Sequence, residues 1–312
     1  MHQNVTVAEE VVLSCFRTPS LRSGGRRNRV VYEEANFPSV RYLYQAQPDL
    51  EVVAVEDDRA IVEAIDERTL LVPISHVLFK NAEIQDVEPI IRRAHEAGAY
   101  VVLDCYQSAG IVPFDLTALG VDFAVGGCLK WLCGGPGNAF LYTRPDLLAR
   151  AKPALTGWLS HEHPFDFDTG EVPMRGDAMH MMNGTPSIPA YYAALAGLDI
   201  INAVGVDRIR DESKRMTARL LELVDEYGFT SAASRDPDRL AGTVAVNVPD
   251  ASLVSRTLKA RDFIVDYRPP VGVRISPHFY NTMEEIERVM AEMASITATK
   301  DYAAGDGSSL VT

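Results

Sequence analysis

The sequence predicts an α/β fold, a mostly parallel sheet flanked by helices, followed by a small α+β C-terminal domain. Three observations carry this. Short β-branched runs such as Tyr100-Val101-Val102-Leu103 close on glycine or a polar residue, as buried parallel strands do. These runs alternate with stretches of helical spacing, the rhythm of βαβ units. From Gly228 onward the rhythm shifts to an α+β pattern. The expected division is 1–204 for a large domain, 205–298 for a small one and 299–312 for a frayed tail.

The elements follow in order. Thr6 and Glu9 fit the S/T-x-x-E capping box, which predicts a first helix beginning near Thr6. A helix N-terminus with its N–H groups is also an anion site. Arg22, Arg26, Arg27 and Arg29 around Gly24-Gly25 read as a solvated loop. A strand at 30–32 precedes Pro38, which fixes a turn before a helix at 39–45. A strand at 52–55, a short helix at 59–66 and a strand at 70–75 come next. Val87, Ile90, Ile91 and Ala94 give 86–97 helical spacing, and Gly98 ends that helix. One strand then runs to Asp104, and another, at 121–125, runs into Gly126-Gly127 with Lys130 shortly after. The loop Gly134-Gly135-Pro136-Gly137 lacks the Lys-Ser/Thr of a P-loop, and a strand at 138–142 follows it. Residues 152–177 are irregular, and His161 and His163 lack a third well-placed ligand for a metal. Helices at about 187–202 and 206–226 follow. Strands at 244–248, 263–267 and 271–275 with helices at 252–260 and 283–296 make the small domain.

A net charge of −13 argues against a nucleic-acid groove. The four cysteines are too few and too irregularly placed for a disulfide framework, which points to a reducing cytoplasm. No signal-peptide pattern and no apolar run long enough to span a bilayer is present in the sequence.

In parallel sheets the ligand sits beyond the strand carboxyl ends, so Asp104 and Lys130 are expected to face one crevice. A lysine amine forms a Schiff base with an aldehyde cofactor, and pyridoxal 5'-phosphate (PLP) is the usual one. An aspartate against the pyridine nitrogen keeps it protonated, so the ring acts as an electron sink.

Seven segments resemble, in order, the PLP enzymes of aminotransferase class V, and kynureninases above all. They are NVT at 4–6, EEANFPS at 33–39, LDCYQSAG at 103–110, VDFAVGGCLKWLCGGPG at 121–137, KPALTGWLSHE at 152–162, GTPSIPA at 184–190 and GVRISPHFYN at 272–281. The resemblance implies the PLP-dependent transferase fold type I. It implies that Val5 and Thr6 hold the cofactor phosphate, Phe37 stacks on the pyridine ring and Ser75 lies near the phosphate or ring edge. Asp104 would pair with the ring nitrogen, Gln107 would contact the ring oxygen and Lys130 would carry the cofactor. Trp158 and Thr185 would reach a phosphate in the neighbouring subunit, which implies a homodimer with shared sites. Arg274 would grip the substrate α-carboxylate, which suits its planar fork.

Three departures stand out. Leu129 occupies the place of a tyrosine that precedes the lysine in kynureninases. Val40 replaces an aspartate of the family motif FPSD. The chain also begins where the family's large domain is already under way, so an N-terminal segment is expected to be lacking. The activity expected is kynureninase-like hydrolysis of a C–C bond. The alternatives are a class V aminotransferase, epimerase or lyase, or a truncated non-catalytic scaffold. A cysteine desulfurase needs a nucleophilic thiol on a late loop, and no cysteine follows Cys133.

Overall fold

The computed structural model describes residues 1–17 and 27–303. Arg22, Arg26 and the tail at 304–312 lie outside the described residues. The chain forms two compact units. The first comprises Met1–Leu78 and Gln85–Gly205, and the second comprises Phe79–Ile84 and the chain from Val206 on.

The first unit is organised by a six-stranded sheet in the order β2-β1-β3-β4-β5-β6. Its strands are β1 (Arg29–Glu33), β2 (Glu51–Val55), β3 (Thr69–Ser75), β4 (Tyr100–Asp104), β5 (Phe123–Gly127) and β6 (Ala139–Thr143). The first five run parallel, and β6 pairs antiparallel with β5 at one edge. Every residue of β3 and β5 is buried, which is why these strands read as apolar runs rather than alternations. The sheet has a core on each side. Helices α1 (Val5–Cys15) and α2 (Pro38–Gln45) pack over Val30, Tyr32, Leu71, Val102 and Val125. Helices α3 (Asp58–Ala64) and α4 (Val87–Ala97) cover Val31, Val72, Ile74, Val101 and Leu103 on the opposite side. The alternation of these residues along each strand is the two-residue period of a pleated sheet. Short helices α5 (Leu116–Leu119) and α6 (Pro145–Leu148) and the long α7 (Ile188–Val204) complete the unit.

Two expectations are corrected here. Asn4, not Thr6, caps α1, its side chain accepting the Val7 amide at 3.0 Å. Glu9 does not reach back to the helix start. It follows Val5 and Ala8 on the buried stripe and is 1% exposed. The basic cluster is not wholly a solvated loop either. Arg29 opens β1 and pairs with Glu51 at 2.8 Å and Asp66 at 2.5 Å, while Arg27 donates to the carbonyls of Thr69 and Ala97. Ahead of α1, His2 and Ala139 exchange backbone hydrogen bonds of 2.7 and 2.8 Å at the β6 edge.

The second unit holds a three-stranded antiparallel sheet, β7 (Val244–Val246), β9 (Gly272–Ile275) and β8 (Asp266–Arg268), in that order. Helices α8 (Val206–Glu226), α9 (Ala251–Ala260) and α10 (Met283–Thr299) pack with it. The Thr282–Glu285 capping box starts α10. Residues Phe79–Ile84 join this unit because Ala241 donates to Ala82 at 2.8 Å and Ile84 to Arg239 at 2.9 Å. Among the described residues no single helix is long and apolar enough to cross a bilayer.

Candidate active site

The carboxyl ends of β1, β3, β4 and β5 converge, and the parallel register fixes what meets there. Ser75 on β3 is the pairing partner of Asp104 on β4, and Asp104 is the partner of Val125 on β5. The loop after β4 and the loop that carries Lys130 come close at Gly110. A Cβ at that position would lie 2.6 Å from the Trp131 carbonyl oxygen, and its φ of +95° favours glycine. The Lys130 carbonyl accepts the Cys133 amide at 2.9 Å, which fixes the turn after β5.

Asp104 is 8% exposed, and one carboxylate oxygen accepts the Tyr106 amide at 2.7 Å. Burial pushes its carboxyl up to about 6, against the pull of that hydrogen bond and of the Lys130 charge. Two further buried acids share this environment. The Glu33 carboxylate accepts the Ser75 amide at 2.9 Å, and burial raises it to about 7. Burial and then the Asp104 charge raise Glu9 well above the usual carboxylate range, and Glu9 lies beside the Tyr44 phenol. The second oxygens of Glu9 and Glu33 are buried without a partner.

Phe37 caps α2 at the same end of the sheet. Its amide donates to the Asn36 side chain at 2.7 Å, and Asn36 donates to the Pro73 carbonyl at 3.0 Å. The Ser75 hydroxyl lies 3.4 Å from the same Asn36 oxygen, so Asn36 ties Phe37 to Ser75. Val5 and Thr6 form the first turn of α1, Val5 buried and Thr6 exposed. Because Asn4 takes the Val7 amide, the N–H groups of Val5 and Thr6 are the ones a phosphate would meet. Gln107 is half-buried in the turn after Asp104.

The other expected residues belong to other segments of the chain. Trp158 stacks on Phe167 at 6.1 Å between ring centroids and meets Phe165 edge-on at 5.5 Å. Thr185 is exposed ahead of α7. Arg274 belongs to the second unit, where β8 and β9 pair it with Asp266. Its Nε and Nη2 donate to the two Asp266 oxygens at 2.7 and 2.6 Å, and Nη1 donates to the Phe79 carbonyl. The two departing positions differ in burial. Val40 is 3% exposed and packs into the core under α1, and Leu129 is 45% exposed.

Sequence reading missed Glu9, Glu33, Asn36, Tyr106 and Asp266. Glu9 carried a signal, since a charged residue within the apolar stripe of a helix is buried with it. Tyr106 carried none, because two residues after a strand end no periodicity assigns a direction.

A buried carboxyl, a lysine beyond the adjacent strand end and a helix N-terminus fit the three parts of PLP: ring nitrogen, aldehyde and phosphate. Fold and site define a PLP-dependent enzyme of fold type I. The description "aminotransferase class V" fits residues 27–289, and the chain belongs to that family. It is 33% identical over 287 residues to an uncharacterized aminotransferase, YcbU, of Bacillus subtilis (strain 168), covering 90% of this chain and 75% of the relative. It is 29% identical over 314 residues to a kynureninase of Bacillus thuringiensis subsp. konkukian, covering 93% of this chain and 72% of the relative. Among solved structures, a cysteine desulfurase from Thermococcus onnurineus NA1 superposes with a TM-score of 0.82 at 23% identity, over 96% of this chain and 78% of that one. The cystine C-S lyase C-DES superposes with a TM-score of 0.80 at 20% identity, over 97% and 81%. These two likenesses are of fold.

Proposed function

We propose that this protein holds PLP covalently on Lys130 and acts on an amino acid in a kynureninase-like reaction. The observation that carries the reading is the link through Tyr106, whose amide bonds Asp104 at 2.7 Å and whose ring lies under Lys130. PLP supplies the electron sink. Asp104 holds the proton at the ring nitrogen. Burial raises its carboxyl to about 6, and a cation placed against it would lower it and favour the ionised form. The α1 N-terminus at Val5 and Thr6 binds the phosphate, Phe37 covers the ring, and Ser75 and Gln107 border it. The Lys130 amine moves the proton at the substrate α-carbon. Arg274 binds the α-carboxylate by its terminal nitrogens, since Asp266 takes the Nε edge.

A homodimer with shared sites is part of this reading. Ile188, Tyr192 and Leu195 line one side of α7 at spacings of four and three, and are 48, 72 and 52% exposed. Trp158 and Thr185 would serve the partner's phosphate. Among the described residues none of the four cysteines forms a disulfide, and this reading places the protein in a reducing cytoplasm.

The second reading is amino-group transfer to a 2-oxo acid. Leu129 favours it, because no phenol stands there for the late proton of kynurenine cleavage. One experiment addresses both. Protein given PLP should develop a visible absorbance band, and borohydride reduction should place the label on Lys130. Alanine and anthranilate released from kynurenine support the first reading, and transfer to a 2-oxo acid without cleavage supports the second. Label on another lysine overturns both.

A further inference from the structure

Lys130 Nζ lies over the Tyr106 ring, 4.9 Å from its centroid. The same residue donates its backbone N–H to Asp104. Tyr106 thus touches both groups assigned to the cofactor ring, one with its main chain and one with its side chain. The ring lies there because position 127 is glycine. A Cβ on Gly127 would sit 2.4 Å from the Tyr106 Cζ and 2.6 Å from its hydroxyl oxygen. Burial first, then the Asp104 charge, raises the phenol above its usual range, so the ring is neutral at physiological pH. A neutral aromatic face attracts an ammonium through its quadrupole.

We propose that Tyr106 is a positioning residue for Lys130, its ring face holding Nζ at the carboxyl ends of β4 and β5, with Gly127 as the notch that admits the ring. The inference rests on the reading of Lys130 as the covalent cofactor site. The ring face, not the hydroxyl, does the holding. It favours the ammonium over the free amine, and the free amine is the form that attacks an aldehyde. Tyr106 therefore sets the pH at which Lys130 captures PLP. Charged and titratable groups facing this pair among the described residues include Asp104 on β4, Cys128 after β5 and the chain's amino terminus beside Cys128.

The test follows PLP capture by visible absorbance as a function of pH, with borohydride trapping to locate the label. Tyr106→Phe keeps the face and should keep the midpoint. Tyr106→Leu and Gly127→Ala should each lower the midpoint by about 0.4–1.5 pH units, the equivalent of a two- to thirtyfold change in the ammonium-to-amine ratio. A fluorinated phenylalanine in place of Tyr106 keeps the shape and weakens the quadrupole, so it should shift the midpoint in the same direction even if the other variants misfold. An unchanged midpoint in Tyr106→Leu or in the fluorinated variant, with label on Lys130, overturns the role of Tyr106 and leaves the reading of Lys130 standing. Label on another lysine in the unsubstituted protein overturns the reading of Lys130 itself.

Discussion

Glu33 shows how far burial can move a side chain's chemistry. One oxygen accepts the Ser75 amide and the other has no partner, and burial raises the acid to about 7. An acid raised in the folded state binds its proton more tightly there than in the unfolded chain. Its contribution is fully present below the unfolded value and is lost as pH rises through about 7. Glu33→Gln cannot ionise, so the stability difference between variant and parent should grow in the variant's favour from pH 4 to pH 8, by on the order of 2–4 kcal/mol. Denaturant titrations at several pH values check this, and parallel curves for the two proteins would refute it. Arg274 makes the opposite case, a charge held by structure. Arg274→Lys keeps one charge but loses the fork, both toward Asp266 and toward a substrate carboxylate. Amino-acid affinity should fall on the order of tenfold to a hundredfold while PLP affinity changes far less. Equal amino-acid affinity in the variant would remove Arg274 from the substrate site.

Among the elements, α1 couples the fold most directly to anion binding. Asn4→Ala removes the bond to the Val7 amide and should cost about 1 kcal/mol of stability. The frayed first turn should also weaken PLP binding without moving the borohydride label from Lys130. Unchanged PLP affinity in a measurably destabilised variant would place the phosphate elsewhere. The same helix marks the limit of local reading. Its start near Thr6 was legible in a capping-box pattern, and the helix does begin there, at Val5. Its cap was not legible, because Asn4 and Thr6 are both good capping residues and only the backbone decides between them. The strands of the six-stranded sheet were legible because each contains an apolar run, and Asp104 and Lys130 followed from their places at two such ends. The strand β8 was not, being expected at 263–267 and found at Asp266–Arg268, because that stretch is no apolar run. Glu33 and Asp266 were hidden because their roles depend on the partner strand. Cross-strand register is not written in either strand alone.

For the whole molecule, shared sites make a prediction that independent sites do not. Lys130→Ala and Thr185→Ala subunits should each bind PLP poorly on their own. Mixed and reassembled, they should regain about a quarter of the intact sites, since about half of the dimers are mixed and each mixed dimer carries one complete site of its two. No recovery on mixing would mean that each subunit builds its site alone. The passage of Phe79–Ile84 into the second unit has a consequence for the order of synthesis. These residues leave the ribosome well before the partners that hold them, Glu83 standing 156 positions ahead of Arg239. At about 5–20 residues per second, that is a wait of roughly 8–30 s. During this interval β3 and β4 can already pair on either side of the segment, while the Arg239 and Ala241 backbone groups that bond it are not yet made. The second unit is thus completed backwards, by newly made chain closing on a stretch that has been waiting since early in translation.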